Sequence, residues 1–446
     1  MNKKIGFVSL GCAKNLTDTE TMLGILNEKG FEITAEVSEA EIIVVNTCAF
    51  IDSAKEESIN AILEMAEYKN ENCEVLAVAG CLAQRYKDDI EKELPEVDII
   101  LGTTDYDKIA DVVADFYKTG EKKSVVGDVN TPVSYDLPRI QSTPKYSSYL
   151  KIADGCDNFC TYCIIPKLRG KYRSRPLESI VEEAKMLSEN GVKELILIAQ
   201  DTAYYGMENN VSSLAEVIRK LSEIEGIEWI RLQYCYPENI TEELVNEIAS
   251  NSKVVKYLDM PLQHVSDSVL KRMGRRSRQK EIENLISGLR EKIPNLTIRT
   301  SIIVGFPGET EEDFELLKEF LQEYRLDRVG VFKYSQEENT PAADFDNQID
   351  DEVKEIRYNE LMSLQQEISA KLNKEKEGRC IRAIVEGYDE NEFCYVGRTE
   401  ADTPEVDGEA YIYSKRELCA GEIVNLKILS SGEYDLTGEV TDEFTK

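Results

Sequence analysis

The sequence contains no run of about twenty apolar residues, which excludes a conventional membrane-spanning helix. It has a single histidine, His264, far along the chain from any group of cysteines, so a zinc site completed by histidine has little to draw on. Basic residues are outnumbered: 53 Lys and Arg against 85 Asp and Glu, for a net charge of -32. That speaks against a large non-specific nucleic-acid surface, although an acidic chain can still carry one basic face, and it favours a basic protein partner. Internal repeats and low-complexity segments are also lacking. The short apolar stretch Ile5 to Leu10 has no small-residue cleavage site after it, and Cys12 follows at once. A buried first strand is therefore expected rather than a signal peptide, and with it a cytoplasmic location. The eleven cysteines are an odd number, which argues against a disulfide framework. Cys73, Cys235, Cys380, Cys394 and Cys419 occur singly in apolar surroundings and read as core thiols. Six others need a different account.

The chain has 446 residues, 42 % of them hydrophobic, enough for two to three domains with buried cores. Its first third alternates strand-like runs (Ile5 to Leu10, Glu41 to Asn46, Val75 to Ala79, Ile99 to Leu101) with helical spacing at 18–28, 52–68, 82–94 and 106–117. Such alternation implies a parallel sheet covered on both faces. The rhythm lapses over 127–145, where Pro132, Pro138 and Pro144 mark a connection. It returns with six candidate strands, at 149–152, 195–198, 229–232, 257–260, 297–304 and 329–334, as a partial (β/α)6 barrel would require. A long amphipathic helix over 352–376 follows, with Ile356, Leu361, Leu364, Ile368 and Leu372 on one stripe. Short alternating strands with Gly- and Asp-rich turns then point to a small all-β, five-stranded barrel. The expected fold is therefore α/β. It divides into an amino-terminal parallel α/β domain (1–126), a linker (127–145), the partial barrel (146–375) and the carboxy-terminal β-barrel (376–446).

The run Asp154-Gly155-Cys156-Asp157-Asn158-Phe159-Cys160-Thr161-Tyr162-Cys163 places three thiols in C-x3-C-x2-C spacing directly after the first barrel strand. Thiolates are the ligands of iron–sulfur clusters. Three of them on a four-iron cluster leave one iron open, as a catalytic centre requires. The competing account is a zinc site, but no second cysteine pair lies nearby. Cys12, Cys48 and Cys81 form a second set. Each ends a strand of the amino-terminal sheet and precedes helical sequence, and strand carboxy ends of a parallel sheet share one edge where ligands bind. Neighbouring helix amino-termini would favour thiolates there. The alternative is that small buried cysteines happen to end strands.

The central spacing, with Tyr162 before its last cysteine, resembles the radical S-adenosylmethionine (SAM) superfamily. The two three-cysteine sets in this order, over essentially the whole chain, resemble the methylthiotransferase family, with a carboxy-terminal module like a TRAM domain. Pro261-Leu262-Gln263-His264-Val265-Ser266-Asp267, Met273-Gly274-Arg275 and Ile303 to Thr310 are similar to signatures of that family's barrel. Ser9 to Asn15 and Asn46 to Ser58 look like its ribosomal-protein branch, the aspartate methylthiotransferases of ribosomal protein S-twelve. The Gln-Met-Asn and Arg-rich stretches typical of the tRNA branch do not occur at these positions.

The resemblance implies two 4Fe-4S clusters, one on Cys12, Cys48 and Cys81 and one on Cys156, Cys160 and Cys163. It implies SAM both as methyl donor and as source of a 5′-deoxyadenosyl radical that removes hydrogen from an unactivated C–H bond. It also implies a reducing partner such as a flavodoxin or ferredoxin. Tyr162 matches a position near the adenine, or packs over the cluster. Gln200, Asp201, Arg231, Gly305 and Gly308 are further candidates for SAM contacts, against ordinary barrel packing, and His264 lies at the same rim. Acidic residues of the last module (Asp389, Glu390, Glu392, Glu405, Asp407, Glu409) would suit a basic protein substrate, or form a solvated surface. The competing functions are a tRNA adenosine methylthiotransferase, which needs a basic stripe, and a non-catalytic iron–sulfur carrier, which needs fully coordinated clusters.

Overall fold

The computed structural model describes residues 3–209 and 211–441. The first unit is a six-stranded, all-parallel sheet made of β1 (Lys4–Ser9), β2 (Glu32–Ile33), β3 (Ile42–Thr47), β4 (Val75–Gly80), β5 (Ile99–Leu101) and β6 (Lys123–Val125), in the order β2-β1-β3-β4-β5-β6. β3 and β4 are buried along their whole length. Their continuous apolar runs fit strands covered on both faces. Val44 and Ala77 face one core with Met22, Leu26 and Ile109, and Val45 and Val78 face the other with Ile62 and Leu82. The two short edge strands β2 and β6 carry too few residues for a period to show. The helix expected over 82–94 is broken into Cys81–Arg85 and Lys87–Glu93. Tyr86 lies between them with φ -127° and ψ 34°, outside the helical region.

Residues 127–145 form no regular element but lie against the helix Ala13–Glu28. Ile140 N donates to Glu20 O, Val133 joins the core, and Arg139 pairs with Glu20 and Glu183.

The second unit holds β7 (Ser147–Lys151), a short antiparallel ribbon of β8 (Ala153–Asp154) and β9 (Arg173–Ser174), then β10 (Glu194–Ile198), β11 (Trp229–Leu232), β12 (Val254–Asp259), β13 (Thr297–Val304) and β14 (Arg328–Lys333). The six long strands run parallel in the order β7-β10-β11-β12-β13-β14, an open (β/α)6 barrel. The helix Asp351–Lys374 closes its side through Leu361 and Ile368. Ile356, expected on that stripe, is 58 % exposed. Lys354 and Arg357 take the inward face at this end, and Arg357 Nη1 donates to Glu309 Oε1 at 2.8 Å.

The third unit is a closed barrel of β15 (Cys380–Asp389), β16 (Cys394–Thr399), β17 (Ala410–Tyr413), β18 (Ile423–Ser431) and β19 (Leu436–Val440), ordered β15-β16-β17-β19-β18. The end of β16 and the β16–β17 connection dock onto strands β10, β11, β12 and β14 of the larger barrel. Arg398 pairs with Glu194, Arg231 donates to Glu400 O, Gln233 to Thr403, Tyr257 to Asp407, and Arg328 to Asp402. Asp407 therefore faces the barrel rather than a solvated acidic surface, whereas Glu390, Glu392, Glu405 and Glu409 are exposed. Of the five single cysteines, Cys73, Cys235 and Cys394 are buried as expected. Cys380 is half-buried and Cys419 exposed, because a small barrel has little interior to place them in. Among the described residues no helix is long and apolar enough to cross a membrane.

Candidate functional site

The amino-terminal thiols come together because the strand ends are in register. Ser9 pairs with Asn46 and Thr47 with Gly80, so the residues after β1, β3 and β4 share one edge. Cys12 is the N-cap of the helix Ala13–Glu28, and Cys81 opens the next short helix. Two glycines make the approach possible. Gly80 (φ +92°) and Gly11 (φ +87°) adopt left-handed conformations. A Cβ at Gly80 would meet Asn46 Oδ1 at 2.3 Å, and one at Gly11 would meet Cys48 Sγ at 3.0 Å. Ser58 Oγ ties the Cys48 backbone, accepting from its N and donating to its O.

The second unit reaches into this edge. Arg169 is 2 % exposed, donates to Asp18 Oδ2 (2.6 Å) and Asp154 Oδ2 (3.3 Å), and stands 3.9 Å from Cys81 Sγ. Burial pushes the Cys81 thiol up to about 12 and raises Cys48 as well. Cys12 is open to solvent but crowded by protein. That desolvation opposes ionisation, and Lys14 and Arg169 outweigh it, so its pKa falls below the usual thiol value.

The central thiols lie in the loop between β8 and the helix Ile165–Arg169. Phe159 at its apex has φ +48° and is 63 % exposed. The loop is held by Thr161, whose N donates to Met273 O and whose O accepts from Ala342 N. Tyr236 Oη lies 3.6 Å from Cys160 Sγ, and Asn158 Nδ2 lies 3.7 Å from Cys156 Sγ. Arg275 stacks over the Tyr236 ring at 4.1 Å. Burial pushes Cys156 up to about 11 and Cys163 higher still, and the neighbouring thiols add to both shifts.

The donor chemistry of both groups fits an iron–sulfur cluster. Buried thiols held protonated in the bare protein become thiolates only when a cation is there to stabilise them. Tyr162 Oη and Nε and Nη1 of Arg275 are buried without hydrogen-bond partners beside the central group, as expected where a polar group has yet to be met. Among the described residues no three of His, Cys, Asp and Glu are placed to hold a single metal ion.

Of the other sequence candidates, Gln200 donates to Asp154 Oδ1 at 2.8 Å and keeps Oε1 buried and unpartnered, and Asp201 accepts from Asn158 and Asn239. Both therefore adjoin the cysteine loop. Arg231 does not: it is fully buried, paired with Glu194 at 2.9 Å and bound to the small barrel. Burial alone would raise Glu194, but Arg398 and Arg231 hold it at about 2. Gly305 (φ +71°) is approached by a side chain of the long helix, since a Cβ there would meet Lys354 Cγ at 2.3 Å. Gly308 faces Arg272 in the same way. His264 is buried, accepts from Ser266 N at Nδ1, and is pushed down to about 3 by burial, so it stands as a neutral structural group. Arg169, Lys14, Asp18 and Asp154 escaped the sequence reading. A charged side chain far from any acid nearby in sequence gives no local sign of burial, and Arg169 lies 151 positions from Asp18.

The chain matches three family models in order: Uncharacterized protein family UPF0004 over 4–102, the Radical SAM superfamily over 150–321 and the TRAM domain over 378–441. It is 53% identical to the ribosomal protein uS12 methylthiotransferase RimO of Acetivibrio thermocellus over all of both chains. It is 50% identical to that of Clostridium tetani over 99% of each. Among solved structures it resembles the radical SAM methyltransferase TsrM of Kitasatospora setae (TM-score 0.56, 13% identity, 77% of this chain and 74% of that one). It also resembles the cobalamin-dependent enzyme OxsB (TM-score 0.52, 12% identity, 82% and 56%). These two show the fold alone. Three family models in series and half-identical relatives matched end to end carry the assignment: the chain belongs to the radical-SAM methylthiotransferase family, in the RimO group.

Proposed function

We propose that the chain methylthiolates the β-carbon of an aspartate in ribosomal protein uS12, in the cytoplasm, using SAM and two 4Fe-4S clusters. Its half-identical, full-length relatives are uS12 methylthiotransferases, which supports the substrate. The observation that carries the chemistry is the pair of three-thiol groups joined by Arg169, which follows the central group in sequence and stands 3.9 Å from Cys81 of the other. Cys12, Cys48 and Cys81 hold one cluster and Cys156, Cys160 and Cys163 the other. When bound, these clusters supply an electron to SAM and a carrier for sulfur.

The chain's own residues do the rest. Arg169 offsets negative charge on the amino-terminal side. Tyr162 and Gln200, with buried atoms lacking partners, are the SAM contacts retained from the sequence reading. The exposed acidic residues of the small barrel attract a basic ribosomal protein. A low-potential flavodoxin or ferredoxin supplies the electrons.

The test is mass spectrometry of uS12 from cells lacking their own modifying enzyme, with and without this chain. A gain of one methylthio group on an aspartate, lost with Cys156→Ala, is expected. Unmodified uS12 alongside thiomethylated adenosine in tRNA would keep the chemistry and overturn the substrate.

A further inference from the structure

A buried ammonium is costly unless something pairs with it. Lys14 is 8 % exposed, yet among the described residues its Nζ has no carboxylate partner. Its close contact is the face of the Tyr234 ring, 3.3 Å from the centroid. The ionisable groups acting on it most strongly are Tyr234, Cys12 and Arg169, none of them a carboxylate. Asp18, one turn further along the same helix, is already taken by Arg169 and Lys151.

The position of this ammonium is specific. Lys14 lies two residues after Cys12 on the amino-terminal sheet edge, and its side chain crosses to the carboxy end of β11 in the other unit. Tyr234 there is followed two residues later by Tyr236, whose hydroxyl lies 3.6 Å from Cys160 Sγ. The ammonium thus links the sheet edge that carries Cys12 to the strand end that leads to Cys160. The Tyr234 backbone is held at φ +60°, a conformation unfavourable for a residue with a Cβ. It is fixed by Asp259 Oδ2 accepting from its N and by Thr202 N donating to its O. Strain of this kind persists where the surroundings over-determine it, and here it aims the ring under the ammonium.

We propose that Lys14 is the contact for the carboxylate of the substrate aspartate, seated on Tyr234 where the two units meet so that the adjacent β-carbon is presented to both cysteine groups. The inference rests on the aspartate-substrate reading above. Fixing a carboxylate fixes the atom next to it, so a single charge-assisted hydrogen bond both selects an acidic residue and orients its C–H bond. A bland alternative exists: Lys14 merely offsets negative charge at Cys12. That role would not distinguish an aspartate from an asparagine in the substrate.

The experiment is equilibrium binding, by fluorescence anisotropy, of a labelled uS12 peptide carrying either the target Asp or Asn to the cluster-loaded full chain. The wild type is expected to prefer the Asp peptide by about tenfold or more. Lys14→Met should bring that ratio close to one, and Lys14→Arg should keep most of it. A Lys14→Met chain that retains the wild-type ratio, or loses both peptides in equal proportion, overturns the inference alone. A wild type that binds neither peptide overturns the substrate reading and the inference with it.

Discussion

The two cysteine groups have the same stoichiometry and opposite construction. The central one is local: three thiols within eight residues, in one loop, surrounded by Tyr162, Tyr236 and the exposed Phe159. The amino-terminal one is assembled from three strands spanning 70 residues and is surrounded by charge, with Lys14 and Arg169 beside Cys12 and Cys81. A loop can present thiols without help from the rest of the fold. A sheet edge can do so only if register, glycine conformation and a neighbouring domain all cooperate. The amino-terminal group is therefore the one that reports on the integrity of the whole molecule.

The comparison breaks most sharply at the thiols themselves. Cys156→Ala should abolish both SAM cleavage and methylthiolation. Cys12→Ala should abolish methylthiolation while 5′-deoxyadenosine is still formed, and each variant should lose about half of the bound iron. Chromatography of the nucleoside and iron analysis per chain check this. Equal loss of SAM cleavage in both variants would mean that the groups do not divide the chemistry. Next in size is Arg169→Met, which leaves Asp18 and Asp154 buried with one cation fewer. Removing one partner of such a buried network costs about 3–5 kcal/mol. A lowered unfolding midpoint is expected, with iron lost from the amino-terminal group before the central one. Retention of both would show that Lys151 alone suffices to balance the two carboxylates.

The smallest effect sharpens the electrostatic contrast. In metal-free protein at pH 8, the exposed, cation-flanked Cys12 should react with iodoacetamide faster than Cys81 or Cys156, whose thiols burial pushes up to about 12 and about 11. The sign is simple. The thiolate is the nucleophile, so a lowered pKa raises the reactive fraction at pH 8 and a raised one removes it. Raising the pH should accelerate Cys156 and Cys81 more than Cys12. Peptide mapping by mass spectrometry measures the rates, with the exposed Cys419 as an internal reference.

The long parallel strands were legible because their apolar runs are continuous, and both cysteine groups were legible because thiols in such spacing have few other uses. The strand Trp229–Leu232 and the strand Thr297–Val304 match their expected bounds. What escaped was short or relational. β2 and β6, with two and three residues, carry no period. Arg231 looked like a ligand contact because it lies on a barrel strand, but its partners Glu194 and Glu400 belong to another strand and another unit. Gly305 looked like a cradle for a nucleoside, and Lys354 of a later helix takes up that space.

By itself the sequence determined the three-unit architecture and the chemical class, and it singled out the six thiols as candidate ligands, since periodicity and ligand type are local properties of a chain. Only the tertiary structure decided which charges stand beside those thiols. Arg169 meets Cys81 and Lys14 meets Tyr234 across a boundary between units. The energy of a buried charge depends on what surrounds it in space, and no residue's neighbours in sequence carry that information.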